Sequence, residues 1–423
     1  MRYDAILFDL DGTLTASAPG VCASARYALA ETGCPVPPDD VLQRFLGPPL
    51  VYSYPEYAGV PLEDVDRVVA IHRAHYHEHG VLDAVVYPGI PNLLRRLRAA
   101  GVYLAIASAK PEPLVHRVLE HFGLARFFDC IVGNTFERRE SDKTVLLRAA
   151  LPLKWQRAAM VGDRKFDMEA AVALGIDGIG ALWGYGTQEE LMQSGAVGCA
   201  ATADAMAALL LEGDVPPPPG FFITIEGIDG SGKTTQMNAV AAHLAARGYE
   251  VVRTREPGGS PVAETIRQLI LSPDNPIHAH TEVLLFAAAR AEHVRELVRP
   301  ALSRGAVVLC DRFVDSSVAY QGAGRELGMD RVAAINAFAI GGTMPDLTLL
   351  FVLDTRTAFL HRKAATPLDR MERSGEAFFQ RVCDGYAQIA RAESRVRCID
   401  ARLTIDQVTQ EACRQIDLLL AAR

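Results

Sequence analysis

The run FITIEGIDGSGKTTQ, residues 222–236, decides the fold of the second half of the chain. Gly227, Gly232, Lys233 and Thr234 fill the pattern G-x-x-x-x-G-K-[ST] of a phosphate-binding loop. The glycines let backbone N–H groups close around phosphate oxygens, because no Cβ stands in the way. The lysine adds a positive charge, and the threonine hydroxyl suits Mg²⁺. A strand-like run precedes the loop and a helix-like run follows it, so we predict a nucleoside triphosphate site at the end of a strand.

Composition limits what the rest of the chain can be. Its 423 residues are too many for one core, and 49% apolar and 22% charged residues are typical of a globular protein. The net charge of −8 argues against a general binder of nucleic acid or of membrane surfaces. The eight cysteines are scattered without a C-x-x-C pair, no signal-peptide pattern opens the sequence, and no apolar run is long enough to span a bilayer. We therefore predict a cytoplasmic protein with no nucleic-acid or membrane partner.

The segment EGDVPPPPG, residues 212–220, is the sharpest break in the sequence. Four consecutive prolines favour an extended spacer. We predict one domain over residues 1–213, a proline-rich linker over 214–220 and a second domain over 221–423.

On both sides of the linker, strand-like runs alternate with helix-like runs, which indicates parallel sheets covered by helices. The predicted strands are residues 5–8, 103–107, 130–132, 158–161 and 178–181, then 221–226, 250–254, 306–310 and 348–353. Residues from about 20 to 82 look helical throughout, so an inserted helical cap is predicted over about residues 16–85. The predicted fold class is α/β, with a Rossmann-like parallel sheet and helical cap followed by a P-loop kinase type of parallel sheet.

The first predicted strand ends in the run D-x-D-G-T, which begins at Asp9. In an open parallel sheet, ligands bind at the carboxyl ends of the strands. Two carboxylates at alternate positions allow one to attack phosphorus and the other to protonate the leaving oxygen. Other polar residues follow later strands or open helices in the same half, and could bind phosphate or Mg²⁺. They are Ser108 after YLAIA, Lys143 at a helix start, and Asp163 and Asp167 in G-D-x-x-x-D.

Together and in this order, these elements resemble the haloacid dehalogenase superfamily of phosphatases over residues 3–210. The resemblance implies that Asp9 is the nucleophile that forms an aspartyl-phosphate, and that Asp11 is the general acid/base. It implies that Ser108 and Lys143 bind the phosphate, with Lys143 also catalytic. It further implies a Mg²⁺ site made by Asp9, Asp163 and the main-chain carbonyl of Asp11, with Asp167 in support.

Three segments of the first half are similar to the branch of phosphoglycolate phosphatases or 5′-nucleotidases. They are FLGPPL (45–50), VYPGIPNLLRRL (86–97) and residues 162–191. Ala16 departs from this pattern, since relatives often carry Asp there.

The predicted cap carries four histidines, of which His72, His75 and His79 share one helical face. A metal site is one interpretation. A solvated helix face is the other, and it is favoured because no cysteine or carboxylate stands at a clear ligand spacing.

Three runs narrow the meaning of the phosphate-binding loop: REPGG (255–259), TEVLLFAAAR (281–290) and DRFVDSSVAYQG (311–322). With the loop, they resemble thymidylate kinase over residues 221–420. The resemblance implies catalytic roles for Lys233 and Arg312. It implies an ATP site made of Gly227, Asp229, Gly230, Ser231, Gly232, Lys233, Thr234 and Thr235, with Thr234 on Mg²⁺.

The same resemblance implies a dTMP site. Its residues are Asp229, Glu256, Arg267, Phe286, Arg290, Arg312, Ser317, Tyr320 and Gln321. Arg312 and Arg267 are expected to hold the monophosphate, and Phe286 to stack on the pyrimidine. Arg290 and Gln321 are expected to bind the base edge.

The run HRKAATPLDRMER, residues 361–373, aligns with the mobile lid of that family. Ala364, Ala365 and Thr366 occupy much of its basic stretch. The candidate lid cations are Arg362, Lys363 and Arg370. Kinases of this family are usually homodimers, so the resemblance also implies a homodimer through the kinase domain.

We therefore predict an enzyme whose C-terminal domain converts dTMP and ATP to dTDP and ADP. Its N-terminal domain is predicted to hydrolyse phosphate monoesters, with Mg²⁺ in both domains. Two alternatives stay open for the N-terminal domain: a regulatory or binding module without turnover, or a hydrolase of phosphoglycolate or another small phosphate ester instead of a nucleotide.

Overall fold

The computed structural model describes residues 2–46, 50–135, 142–213, 215–361, 370–371 and 374–422. The chain divides into two compact units, Met1–Pro217 with Ala246–Tyr249 and Pro218–Ala245 with Glu250–Arg423. The division falls inside the predicted linker, whose Asp214 lies outside the described residues. Within the described ranges, no helix has the length and apolar character needed to cross a membrane.

The first unit is built on a parallel sheet. Its strands are β1 (Ala5–Phe8), β2 (Thr15–Ala16), β3 (Val85–Val86), β4 (Tyr103–Pro111), β5 (Cys130–Asn134), β6 (Ala158–Gly162), β7 (Asp177–Ala181) and β8 (Ala196–Ala200). Six of them form one sheet in the order β5-β4-β1-β6-β7-β8, with every neighbouring pair parallel. The central strand β1 is apolar throughout and fully buried. Ile6 and Phe8 join one apolar cluster and Ala5 and Leu7 another, because side chains alternate between the two faces of a strand.

Helices cover both faces of this sheet and form the cap. They are α1 (Ala18–Glu31), α2 (Asp39–Leu42), α3 (Leu50–Ala58), α4 (Val65–His75), α5 (Ile90–Ala99), α6 (Glu112–His121), α7 (Lys143–Ala150), α8 (Lys165–Leu174), α9 (Gln188–Gln193) and α10 (Ala203–Leu210). The cap helices α1–α4 lie between β2 and β3, which pair antiparallel. They enclose an apolar cluster of their own that includes Leu29, Phe45, Tyr54 and Val68. The cap therefore has a core separate from that of the sheet.

The second unit contains a five-stranded parallel sheet in the order β10-β11-β9-β12-β13. Its strands are β9 (Phe221–Glu226), β10 (Val251–Arg255), β11 (Val307–Asp311), β12 (Leu347–Val352) and β13 (Val396–Asp400). Its helices are α11 (Lys233–Ala246), α12 (Pro261–Leu271), α13 (Ala279–His293), α14 (Arg299–Ser303), α15 (Val314–Ser317), α16 (Met329–Ile340), α17 (Thr355–His361), α18 (Glu376–Ala392) and α19 (Ile405–Ala421). The fully buried strand β9 lies at the centre and leads directly into the phosphate-binding loop.

The predicted α/β fold is confirmed, and each predicted strand is present. Four strands were not predicted: the two-residue strands β2 and β3, which flank the cap helices, and the longer strands β8 and β13. The strands β8 and β13 lie at the edge of a sheet, where one side has no neighbouring strand. Their burial is mixed, so they lack the continuous apolar run that marks a central parallel strand.

Candidate active sites

The carboxyl edge of the first sheet gathers three acidic side chains. Asp9 follows β1 and Asp163 follows β6, the strand beside it, while Asp167 lies in the first turn of α8. One ligand oxygen from each of the three lies within 4.8 Å of those of the other two. Burial and the two neighbouring carboxylates raise the pKa of Asp163 to about 7. Three carboxylates held this close repel one another, so the cluster fits a divalent cation that takes hard oxygen ligands.

Glycines let the backbone approach these carboxylates. A Cβ on Gly12, which has φ of 85°, would stand 2.2 Å from Oδ2 of Asp163. A Cβ on Gly162 would stand 2.3 Å from the carboxyl carbon of Asp167. The Asp163 carboxylate is also fixed by two donors, the Thr13 hydroxyl at 3.1 Å and the Tyr185 main-chain N–H at 2.8 Å. The cluster is therefore shaped by the backbone as well as by charge.

Lys143 neutralises part of this acidic cluster. It is the first residue of α7, and its side chain is buried. Its Nζ lies 3.0 Å from Oδ1 of Asp9 and 2.8 Å from Oδ1 of Asp167. Burial raises the pKa of Asp9 while Lys143 lowers it, and the net result is a pKa of about 6.

Asp11 does not join the three-carboxylate cluster through its side chain. Its carboxylate contacts Lys110, a buried lysine near the end of β4 that the sequence analysis missed. Burial alone would lower the pKa of Lys110, but Asp11 and the Tyr76 hydroxyl hold it above its usual value. The signal in the sequence was a lysine placed directly after the apolar run YLAIASA. Ser108, two residues earlier, is also buried and accepts a hydrogen bond of 3.4 Å from the Lys110 main-chain N–H.

The cap histidines have structural partners, so the favoured interpretation of a solvated helix face is wrong for His72. That side chain is buried, and its Nδ1 lies 2.8 Å from the Tyr54 hydroxyl. Burial lowers the pKa of His72 to about 4. His75 stacks on Tyr27, with ring centroids 4.3 Å apart. Across the part of the chain that is described, the acidic cluster at Asp9 is the one group of side chains arranged to hold a metal ion.

In the second unit, the phosphate-binding loop has the backbone that its glycines predict. Gly227, Gly230 and Gly232 have φ values of 134°, 90° and 85°. A Cβ on Gly230 would stand 2.3 Å from the main-chain oxygen of Ala358. Lys233 is buried, and its Nζ donates to the main-chain oxygens of Gly227 and Ile228, at 3.0 Å each. The loop is thus held in shape by its own lysine.

Arg312 joins the end of β11 to this loop. Its φ of 70° is unusual for a residue with a Cβ, and strain of this kind is common at functional sites. Its guanidinium donates to Oδ1 of Asp229, at 2.7 Å. Burial opposes ionisation of Asp229, but Arg312 and Lys233 hold the pKa of that carboxyl well below its usual value.

A cavity of about 290 Å³ opens beside Asp229 and Arg312. All nine side chains predicted to bind dTMP line it. Six further residues that line the cavity were not predicted: Arg255, Pro257, Leu271, Asp311, Ser316 and Met371. Five of them lie within the runs REPGG, DRFVDSSVAYQG and HRKAATPLDRMER, and Leu271 lies outside these runs. The motifs therefore marked the segments that form the cavity, but not every residue in them that faces it.

Arg290 lines this cavity, but its guanidinium is held by protein groups. It donates to Oε2 of Glu256 at 2.6 Å, to the Ser317 hydroxyl at 3.1 Å and to the main-chain oxygen of Phe313 at 3.0 Å, and it also contacts Asn336. Because these contacts are buried, Arg290 organises the cavity wall. Its expected contact with a base edge stays a prediction.

Glu226, the last residue of β9, is a second functional candidate that the motifs did not identify. Its buried carboxylate accepts from the Phe313 main-chain N–H at 2.7 Å, the Ser316 hydroxyl at 2.6 Å and the Tyr386 hydroxyl at 2.8 Å. Burial and the neighbouring Asp315 carboxylate raise the pKa of Glu226 to about 7. This one side chain therefore positions the loop that carries Arg312.

The predicted lid cations Arg362 and Lys363 lie outside the described residues. Arg370 is described, and its guanidinium lies 2.6 Å from Oε2 of Glu282, a buried carboxylate on α13. Its Nε donates to the main-chain oxygen of Ile270 at 2.9 Å. Arg370 is thus paired with protein groups, and its role toward a phosphate stays a prediction.

Both halves of the chain match known families. Residues 225–412 match the family described as thymidylate kinase, and residues 6–181 match haloacid dehalogenase-like hydrolases. A thymidylate kinase from Pseudomonas putida (strain GB-1) is 48% identical over 203 residues, which are 48% of this chain and 95% of that protein. A thymidylate kinase from Finegoldia magna is 47% identical over 188 residues, which are 44% of this chain and 93% of that protein.

The chain belongs to the thymidylate kinase family. It carries in addition a haloacid dehalogenase-like hydrolase region, so it is an enzyme with a kinase part and a phosphatase part.

Two solved structures are similar to about half of the chain. A predicted phosphatase from Clostridium acetobutylicum is 34% identical, with a TM-score of 0.45, and covers 49% of this chain and 97% of its own. A haloacid dehalogenase-like hydrolase from Streptococcus pneumoniae is 28% identical, with a TM-score of 0.45, and covers 50% of this chain and 99% of its own.

We predict that Gly12→Ala disables the phosphatase part. The new Cβ would displace the Asp163 carboxylate, and a shift of about 1 Å at a catalytic group lowers the rate on the order of a hundredfold. The measurement is kcat/KM for p-nitrophenyl phosphate. Gly101→Ala is the matched control, because Gly101 has a similar φ of 75° but no atom within 4 Å of the new Cβ. Equal losses in the two variants would show that backbone strain, and not the carboxylate cluster, controls the rate.

Proposed function

We propose that the kinase part transfers the γ-phosphoryl group of ATP to dTMP and gives dTDP and ADP. The observation that carries this proposal is the cavity lined by all nine predicted dTMP residues, because it opens beside the phosphate-binding loop. Asp229 belongs to both the loop and the cavity wall. An acceptor phosphate in the cavity therefore lies next to the triphosphate site, as an in-line transfer requires.

The roles follow from the position of each group. Lys233 and the loop amides bind the ATP phosphates, while the exposed Thr234 hydroxyl in the first turn of α11 supplies a ligand for the Mg²⁺ that accompanies ATP. Arg312 and Arg267 supply positive charge for the dTMP phosphate, and Phe286 supplies an aromatic face for the base.

The base edge has a polar partner in Gln321. Its side-chain amide donates to Oε1 of the buried Glu282, at 2.9 Å, which fixes the orientation of the amide. The amide oxygen is then the atom that accepts from the ring N–H of a pyrimidine.

We propose that the phosphatase part hydrolyses phosphate monoesters in two steps. In the first, an Asp9 oxygen attacks phosphorus, the bond to the leaving oxygen breaks, and that oxygen takes a proton from Asp11. In the second, water attacks the phosphorus of the aspartyl-phosphate and gives a proton to Asp11, which frees phosphate and the Asp9 carboxylate. Lys143 and Ser108 bind phosphate oxygens throughout.

Asp9, Asp163 and Asp167 are the side chains that would hold Mg²⁺ in this part, with the Asp11 main-chain carbonyl as a further ligand. A divalent cation there supplies charge neutralisation for the phosphoryl group. The eight free cysteines support a reducing compartment, and we include a cytoplasmic location in the proposal.

We further propose that the chain forms a homodimer through its kinase part. Helices α13 and α16 pack on each other, and each exposes a large apolar side chain, Leu284 at 58% and Phe338 at 93%. A second copy of the chain is the partner that the family resemblance implies for such helices.

Separate active sites predict separable activities. Lys233→Met removes the cation from the phosphate-binding loop, so dTDP formation falls by about a hundredfold or more while p-nitrophenyl phosphate hydrolysis continues. Asp9→Asn removes the nucleophile, so hydrolysis is lost while dTDP formation continues. Both activities are measured on the full chain of each variant. Loss of both activities in a folded variant of either kind would overturn the two-site account.

Phe338→Glu is expected to give a monomer in sedimentation velocity, because a charge in an apolar interface loses its hydration. Leu153→Glu is the matched control, since Leu153 is also an almost fully exposed apolar side chain but lies in the phosphatase part. It is expected to leave the dimer intact. A wild-type chain that sediments as a monomer would refute the dimer outright.

A further inference from the structure

Lys110 is a buried cation at the phosphatase site, and each of its three N–H donors has a protein partner. Its Nζ lies 3.0 and 2.9 Å from the two carboxylate oxygens of Asp11 and 2.7 Å from the Tyr76 hydroxyl. An ammonium group has three N–H donors and no acceptor. In this arrangement no donor is left for a phosphate oxygen.

The other lysine of the site has a different pattern. Lys143 contacts Asp9 and Asp167, two members of the acidic cluster, and has no contact with Asp11 among the described side chains. The two lysines therefore divide the carboxylates between them. Lys143 serves the nucleophile and its neighbour, while Lys110 serves the acid/base residue.

The partner Tyr76 comes from the cap. It directly follows α4, at the start of a π-helical segment over Tyr76–Gly80, and its side chain packs against the apolar cluster of the sheet. The path Tyr76–Lys110–Asp11 thus runs from the cap to the acid/base carboxylate through two short polar contacts.

We propose that Lys110 is a positioning residue that sets the orientation of the Asp11 carboxylate for proton transfer, and that Tyr76 ties this orientation to the cap. The inference rests on the proposed two-step hydrolysis. A carboxylate with one freely rotating bond reaches the leaving oxygen in only part of its orientations. A bidentate contact to a buried ammonium selects one plane for the carboxylate, so removal of Lys110 harms proton transfer more than phosphate binding.

The test is a double-mutant cycle on the full chain with two substrates. Phenyl phosphate has the poorer leaving group, so its hydrolysis depends on protonation of the leaving oxygen by Asp11. The p-nitrophenolate group of p-nitrophenyl phosphate leaves readily without that proton. Lys110→Met is expected to lower kcat/KM for phenyl phosphate by about ten- to a hundredfold and to affect p-nitrophenyl phosphate much less. Asp11→Asn is expected to show the same preference. Lys110→Met should add little on top of Asp11→Asn, because residues that act as one unit are not additive.

Equal losses on both substrates, or effects of Lys110→Met and Asp11→Asn that multiply, would overturn the inference and assign Lys110 to phosphate binding. Retained p-nitrophenyl phosphate hydrolysis shows that the variant is folded. If Lys110→Met does not hydrolyse p-nitrophenyl phosphate at all, Lys110→Gln is measured as a second variant. Hydrolysis that survives in Asp9→Asn would instead refute the two-step function, so the two failures are distinguishable.

The contact between Tyr76 of the cap and Lys110 is tested by a matched pair of variants. Tyr76→Phe removes the hydroxyl on Lys110 and is expected to lower phenyl phosphate hydrolysis severalfold, in the same direction as Lys110→Met. Tyr54→Phe removes a hydroxyl elsewhere in the cap, 2.8 Å from His72, and is expected to leave the ratio of the two substrates unchanged. If the ratio of kcat/KM for the two substrates is the same in Tyr76→Phe and in the wild-type chain, the cap has no part in orienting Asp11.

Discussion

Charge compensation at the carboxyl end of a buried parallel strand is the constraint on which both sites depend. In the phosphatase part, the four carboxylates of Asp9, Asp11, Asp163 and Asp167 are matched by two ammonium groups among the described side chains. Lys143 pairs with Asp9 and Asp167, and Lys110 pairs with Asp11. In the kinase part, the cations Lys233 and Arg312 share one carboxylate, that of Asp229. The first site is left with a negative excess that suits a divalent cation, and the second with a positive excess that suits phosphate.

The backbone makes this crowding possible in both parts. Gly12 lies so close to Asp163, and Gly230 so close to the main chain of Ala358, that a Cβ at either position would overlap the neighbouring oxygen. Each glycine follows a central strand, where the sheet fixes the chain direction. The strand order thus places the functional loop, and glycine lets the charged groups meet across it.

The sequence predicts the central parts of both sheets because β1 and β9 are short, mostly apolar and fully buried runs followed by recognisable loops. It misses β8 and β13, because Gly198 and Arg397 interrupt the apolar character of these five-residue strands. It finds residues that lie in motifs, such as Asp9 and Lys233. It misses Lys110 and Glu226, since their roles arise from contacts with residues far along the chain, at Asp11 and Tyr386, that no local pattern records.

The central claim is that one chain carries a kinase site and a separate phosphatase site that works through a phosphorylated Asp9. The most direct measurement is to stop p-nitrophenyl phosphate hydrolysis with acid during turnover and to locate the protein-bound phosphoryl group by mass spectrometry. The account predicts an acyl phosphate on Asp9 in the wild-type chain and in Lys233→Met. A phosphoryl group on any other residue during turnover would contradict it.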